Sequence, residues 1–189
     1  MNQHWIGNWS PGIGDPTIGG WVTVALYVLA AWACFAVLRR ETQQRIVMSV
    51  NERLIWRLLT VAMIALGINK QLDLQSAVTE WLRISAMQHG WYDNRRQYQE
   101  AFIAALPVLG LTTLSAIMML VWSAPAPSLW ACAGTAGLMM FVAIRAASFH
   151  HVDEMLGWHL AGFTLNWLLE MGSLVVIAWS AFARARTRT

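Results

Sequence analysis

The chain has 189 residues, of which 57% are hydrophobic and only 12% charged, about half the charged share of an ordinary soluble domain. A balance this apolar excludes a plain water-soluble domain and points to one helical membrane domain spanning 1–189. The net charge of +3 carries no nucleic-acid signature, because the basic residues flank apolar runs, where attraction to anionic lipid accounts for them.

In chain order, residues 1–19 form an N-terminal arm with no Lys or Arg before the first apolar run. A secretory leader requires such a basic start, so the first apolar segment is expected to be retained. "NWS" at Asn8–Ser10 matches a glycosylation sequon, and a pattern this short reads as chance. Five apolar runs have the length of membrane spans: about 20–38, 53–70, 102–122, 129–148 and 157–181. The second is the weakest, with a short core "LLTVAMIALGI" and Arg57 one turn inside its start, from where the side chain reaches the interface. The loop 71–101 contains a stretch, 71–88, in which Leu72, Leu74, Val78, Trp81, Leu82 and Ile84 form one apolar face. It reads as an amphipathic helix lying on the membrane surface and ending at Gly90. Pro107 is expected to kink the third span, "SAPAPS" at 123–128 to form a tight hairpin, and Gly134 with Gly137 to allow close helix approach in the fourth. Cys34 and Cys132 lie inside apolar runs, so no disulfide framework is read.

The fold class is therefore all-α: a polytopic membrane helical bundle of about five transmembrane helices plus an outer-surface amphipathic helix. Charge sets its orientation. The connection after the first span and the tail 182–189 carry Arg39, Arg40, Arg45, Arg53, Arg57, Arg184, Arg186 and Arg188 against Glu41 and Glu52. By the positive-inside rule that side is cytoplasmic, which puts the N-terminus outside and the C-terminus inside, with a bacterial inner membrane as the expected location. Most of the 12 tryptophans fall near span ends, Trp56 among them, as an interfacial belt.

All five histidines fall on the outer side of this arrangement, so a site is expected to face outwards. In "FHHVDE" a helix would make His150 and Glu154 i,i+4 neighbours, and His151 and Glu154 i,i+3 neighbours. His150, His151 and Asp153 are metal-ligand candidates, Asp73 could complete a shell, and a divalent metal is the candidate cofactor. The plainer reading is an ionic network in which Arg145, Arg95 and Arg96 balance Asp153 and Glu154. At the end of the second span Asn69, Asp73 and Glu80 share a helical stripe, and Lys70 reaches Asp73 at i+3. In the fifth span His159, Asn166, Glu170 and Ser173 form another stripe. Glu170, near mid-span, is costly there unless protonated, paired or beside water, so it should face the interior. Its structural partners are expected to be hydroxyls such as Thr112, Thr113, Ser115 or Thr135.

Three functions fit. The first is an assembly or accessory subunit, or a lipid-binding protein, with a polar cluster on the outer (periplasmic) side and membrane lipids or a larger membrane complex as partners. The second is a metal-dependent hydrolase or transferase acting on a lipid-like substrate, with Glu154 as general base. The third is a proton- or quinone-linked protein using Glu170, with Asn166 and His159 leading outwards. Whether the chain is an enzyme stays open at this level.

Overall fold

Side-chain caps start the first two helices. α1, Ile18–Thr42, opens on Thr17, whose hydroxyl oxygen accepts from the Gly20 amide at 3.1 Å. α2, Val50–Leu72, opens on Ser49, whose Oγ accepts from the Glu52 amide at 3.1 Å. Serine followed three residues later by glutamate is the capping-box spacing. In this computed structural model, which describes residues 5–43, 45–90, 105, 108, 110, 112–113, 115–117, 119, 121–146, 159–160 and 163–187, that glutamate is engaged elsewhere.

α2 stops at Asp73, which takes the left-handed conformation (φ 48°, ψ 48°), a region sparsely used by residues with a Cβ. α3, Leu74–Gln88, follows at once. It matches the amphipathic helix expected at 71–88, and Gly90 beyond it also has a positive φ, of 71°, as a residue closing a helix should. The described positions between 105 and 121 are helical, while Pro107 lies outside the described residues. α4 covers Ala126–Ala146. His159–Leu160 (β1) then pairs antiparallel with Phe163–Thr164 (β2), and α5 runs Leu165–Arg186.

Among the described residues the fold is thus all-α apart from one pairing of two-residue strands. The expected span 157–181 is corrected at its start: the helix begins at Leu165, because the apolar run ahead of it pairs as strands, a choice that short apolar stretches do not reveal by periodicity. Among the described residues two helices are long and apolar enough to cross a membrane, α1 and the Trp167–Arg186 part of α5. α1, with 25 residues, is about 37 Å long at 1.5 Å per residue, more than a bilayer's hydrocarbon core. It is apolar all round, with Ala30, Cys34 and Val37 buried while Val28, Trp32 and Phe35 point outwards. An all-round apolar helix belongs to a large core or a membrane.

Packing follows the order α4, α5, α1, α2, each element lying against the next. α4 meets α5 where small residues allow it: a Cβ on Gly134 would stand 3.1 Å from the Ser173 carbonyl oxygen, and one on Gly137 only 2.9 Å from Ser173 Oγ. That is the close approach expected of those two glycines. Leu138, Leu174, Ile177, Val37, Met63 and Trp56 fill the centre, and Trp32 of α1 meets Phe182 of α5 with ring centroids 5.7 Å apart. The N-terminal arm folds back on the junction of α2 and α3, where the Gly14 amide donates to the Gln71 carbonyl at 2.7 Å and the Asn8 amide to Glu80 Oε1 at 3.0 Å.

Candidate functional site

α2 and α5 each carry a charged residue near both ends, and these meet in two separate clusters. The first joins the C-terminal end of α2 to the start of α5. Glu170, only 3% exposed, accepts from the Tyr27 hydroxyl of α1 at 3.2 Å through Oε1 and from Lys70 Nζ at 3.1 Å through Oε2. Asp15 of the arm adds a second carboxylate 3.8 Å from Lys70 Nζ and also accepts from the Thr17 hydroxyl at 2.6 Å, so the cap of α1 and the ion pair share one residue. Beside the pair lies a cavity of about 50 Å³, bounded by Tyr27, Asn69, Lys70, Asp73 and Glu170 on its polar side and by Leu66, Phe141 and Val142 on its apolar side. That volume exceeds the roughly 15 Å³ one ordered water needs, and the wall offers several polar partners. The strained backbone of Asp73 stands on the same wall, and such strain gathers at ligand sites when the surrounding structure holds it in place.

The second cluster joins the N-terminal end of α2 to the C-terminal end of α5. Arg184 clamps Glu52 with two bonds, Nε to Oε1 at 2.7 Å and a terminal nitrogen to Oε2 at 3.1 Å. Ser128, at the start of α4, donates to the same Oε1 at 2.6 Å, with Trp56 Nε1 at 3.4 Å, and Arg184 also donates to the Val47 carbonyl at 2.8 Å. Glu52 and Arg184 are 2% and 3% exposed. Burial opposes ionisation of Glu52, but the hydrogen bonds from Arg184 and Ser128, with the guanidinium charge, prevail and hold its carboxyl below the ordinary value of 4.5. Around this core Arg40 donates to the Ala185 carbonyl at 2.6 Å, and Arg53 pairs with Glu41. Helix dipoles favour both members, with the acid in the first turn of α2 and the base in the last turn of α5.

Of the residues singled out from the sequence, Lys70 and Glu170 come together, and Asn69 and Asp73 line the cavity beside them. Lys70 bonds Glu170 rather than the expected Asp73 one turn away, because the left-handed turn at Asp73 breaks the stripe of Asn69, Asp73 and Glu80. Glu80 instead pairs with Arg83, whose Nε is 2.9 Å away; that bond, with the Asn8 amide, lowers its pKa. Glu170 finds a phenol and an ammonium, not the threonines first considered: Thr135 bonds the Ala131 carbonyl and Thr112 that of Val108. His159 sits in β1, ahead of α5, so the stripe that reaches Glu170 starts at Asn166. Arg145 and Asn166 lie within α4 and α5, and their side chains are outside the described set. Arg95, Arg96, His150, His151, Asp153 and Glu154 lie outside the described residues altogether. Among the described residues no group of three His, Cys, Asp or Glu could hold a metal ion.

Sequence reasoning missed Tyr27, Asp15 and the entire Glu52–Arg184 clamp, having counted the last two only as loop charges. Trp56 is likewise corrected: it is fully buried against Glu52, not part of an interfacial belt. The serine cap three residues before Glu52 marked a helix start, but nothing in the pattern named Arg184, 132 residues on, as its partner. Comparison of the chain with protein-family models, with curated proteins and with solved structures found no match in any of the three.

Proposed function

We propose that the chain is a five-span accessory protein of a bacterial inner membrane that binds a lipid at its outer face, with the Lys70–Glu170 cluster reading the head group. One observation carries this reading: a carboxylate, an ammonium, a phenol and a second carboxylate converge from four segments beside a small cavity. The clamp at the other end of the same helices encloses its charges with direct bonds. Eighteen residues separate Glu52 from Lys70 along α2, about 27 Å at 1.5 Å per residue, close to the thickness of a hydrocarbon core. That spacing supports one cluster at each membrane boundary, and the arginine balance assigns Glu52 and Arg184 to the cytoplasmic side.

Native mass spectrometry of the protein released from native membranes tests the binding. One retained lipid per chain is expected for the wild type, with its loss in Lys70→Met and in Glu170→Gln. Equal retention by both variants would overturn the reading, and recovery of a stoichiometric protein partner in place of lipid would turn it towards assembly. Single cysteines at positions 88 and 187, with Cys34 and Cys132 replaced by Ala, test the topology. Outside reagent should reach position 88 alone, and reversed labelling would invert the site.

A proton-linked role is the second reading, and the cavity favours it, since Glu170, Lys70 and Asp73 border a space that admits water. Proton uptake by reconstituted vesicles that vanishes in Glu170→Gln would support it over lipid binding.

A further inference from the structure

A second concavity lies between α1 and α2 and shares Tyr27 with the polar cavity. Its volume is about 560 Å³, within the usual range of ligand sites, and Ala31, Trp32, Phe35, Ile64 and Ile68 supply much of its apolar wall. It extends along α2 from Thr60 to Gln71. Eleven residues of helix rise are about 16 Å, roughly half of a 30 Å hydrocarbon core, which is the depth of one leaflet. At its Gln71 end stands an anomaly: both polar atoms of the Gln71 carboxamide are buried and meet no hydrogen-bonding partner among the described residues. An orphaned buried amide is costly, and this one offers two donors and an acceptor side by side.

From these observations we infer that the α1–α2 groove binds one chain of a neutral, hydroxyl-bearing single-chain lipid of the outer leaflet, its head group hydrogen-bonded to Gln71 once rotation of that side chain turns the buried carboxamide into the groove. Length selects a chain lying in one leaflet. The orphaned carboxamide selects a head that both donates and accepts, as a hydroxyl beside an ester carbonyl does. Charge favours a neutral head: among the described residues Asp15, Asp73 and Glu170 stand near the head-group end, and Lys70 is already bonded to Glu170 and 3.8 Å from Asp15, so an anionic head is disfavoured. Tyr27 borders both concavities and bonds Glu170, which puts the head of the bound lipid beside the polar cluster. The inference deepens the lipid-binding reading and rests on it for location, while its chemistry rests on Gln71 and the groove.

The test uses the full chain in nanodiscs with a monoacylglycerol carrying a diazirine midway along its chain, followed by peptide mapping of the cross-links. Labelling of α1 between Val24 and Phe35 and of α2 between Thr60 and Ile68 is expected to exceed that of the exposed α5 face at Val175, Val176 and Trp179 by at least fivefold. Ile64→Trp, which fills the groove, should reduce groove labelling to the α5 level. Gln71→Leu should lower it at least threefold, and Gln71→Met covers the case in which the first variant does not fold. A phosphatidylglycerol carrying the same diazirine chain should label the groove no more than the α5 face. Even labelling of both faces means bulk lipid only and overturns the inference, as does groove labelling indifferent to Gln71, or a groove closed to the probe by a second protein helix. Glu170→Gln separates the two readings. Groove labelling at the wild-type ratio, with lipid retention also unchanged in that variant, would remove the head-group role of Glu170 and leave the groove standing.

Discussion

The two ends of α2 and α5 use the same elements, a glutamate and a long base 132 and 100 residues apart in sequence, yet they are built to different standards. At the Glu52–Arg184 end a two-pronged clamp, a serine and an indole bond the carboxylate, a backbone carbonyl takes a further guanidinium N–H, and each side chain of the pair is 3% exposed. At the Lys70–Glu170 end each carboxylate oxygen has one bond, the ammonium is shared with Asp15, and polar groups face a cavity. A buried ion pair saturated by its neighbours holds helices in register, whereas one that borders open space is available to something else. The contrast distinguishes a structural joint from a site without reference to any known relative.

Removing one partner of the saturated pair should have the largest effect. Arg184→Met leaves Glu52 buried and uncompensated, and such single deletions cost about 3–5 kcal/mol, so the detergent-solubilised variant should melt well below the wild type or fail to accumulate. Glu52→Leu combined with Arg184→Met should recover much of the loss, since an apolar pair needs no counter-charge. Acid provides a second handle. The folded-state pKa of Glu52 lies below its ordinary value of 4.5, so the native state binds fewer protons there than the unfolded chain. The stability it contributes is present above pH 4.5 and is lost as pH falls through the folded value. Glu52→Gln should flatten that part of a stability-against-pH profile, and an unchanged acid limb would contradict the assignment.

The cavity-side pair should respond more mildly. Glu170→Gln keeps an acceptor for Tyr27 and leaves Lys70 with Asp15, so a loss of about 1–3 kcal/mol is expected, with the fold retained and lipid retention gone. Tyr27→Phe removes the hydrogen bond to Glu170 at 3.2 Å and should cost about 1 kcal/mol. If Glu170→Gln proved as damaging to the melt as Arg184→Met, both ends would be structural joints and the contrast would collapse.

Much of this frame was legible in the sequence, and the reason is periodicity. α1, α2, α3 and α4 fall within a few residues of the apolar stretches at 20–38, 53–70, 71–88 and 129–148, and Gly134 and Gly137 pack as small residues in such helices do. Glu170 stood out because a carboxylate inside an apolar run demands a partner. Its partners did not stand out. Tyr27 looks like any aromatic in a span, and Asp15 belongs to an arm whose return onto α2 and α3 depends on backbone bonds from Gly14 and Asn8 that composition does not encode. The Glu52–Arg184 clamp was hidden by its position: both residues flank apolar runs, where charges are ordinarily solvated, and only tertiary packing removes them from water. Gln71 was hidden for a related reason, since an amide at the end of a helix ordinarily meets solvent.

The smallest effect should come from Arg83, and its smallness bears on the same contrast. Arg83 makes two hydrogen bonds to Glu80, at 2.9 Å and 2.6 Å, an i,i+3 pair on the surface of α3 with the arginine side chain 43% exposed. By bond count to its partner it rivals the Glu52–Arg184 clamp, yet solvent competes for the guanidinium, and surface pairs of this kind contribute little. Arg83→Ala should therefore leave the melting temperature unchanged within error, and the Asn8 amide should still hold Glu80 and with it the N-terminal arm. A clear drop in stability, or protease cleavage appearing in residues 5–15 of this variant alone, would mean that the arm depends on the ion pair rather than on its backbone bonds. Asp15 would then reach Lys70 only while Arg83 is present, and the surface of α3 would have to be counted as part of the site.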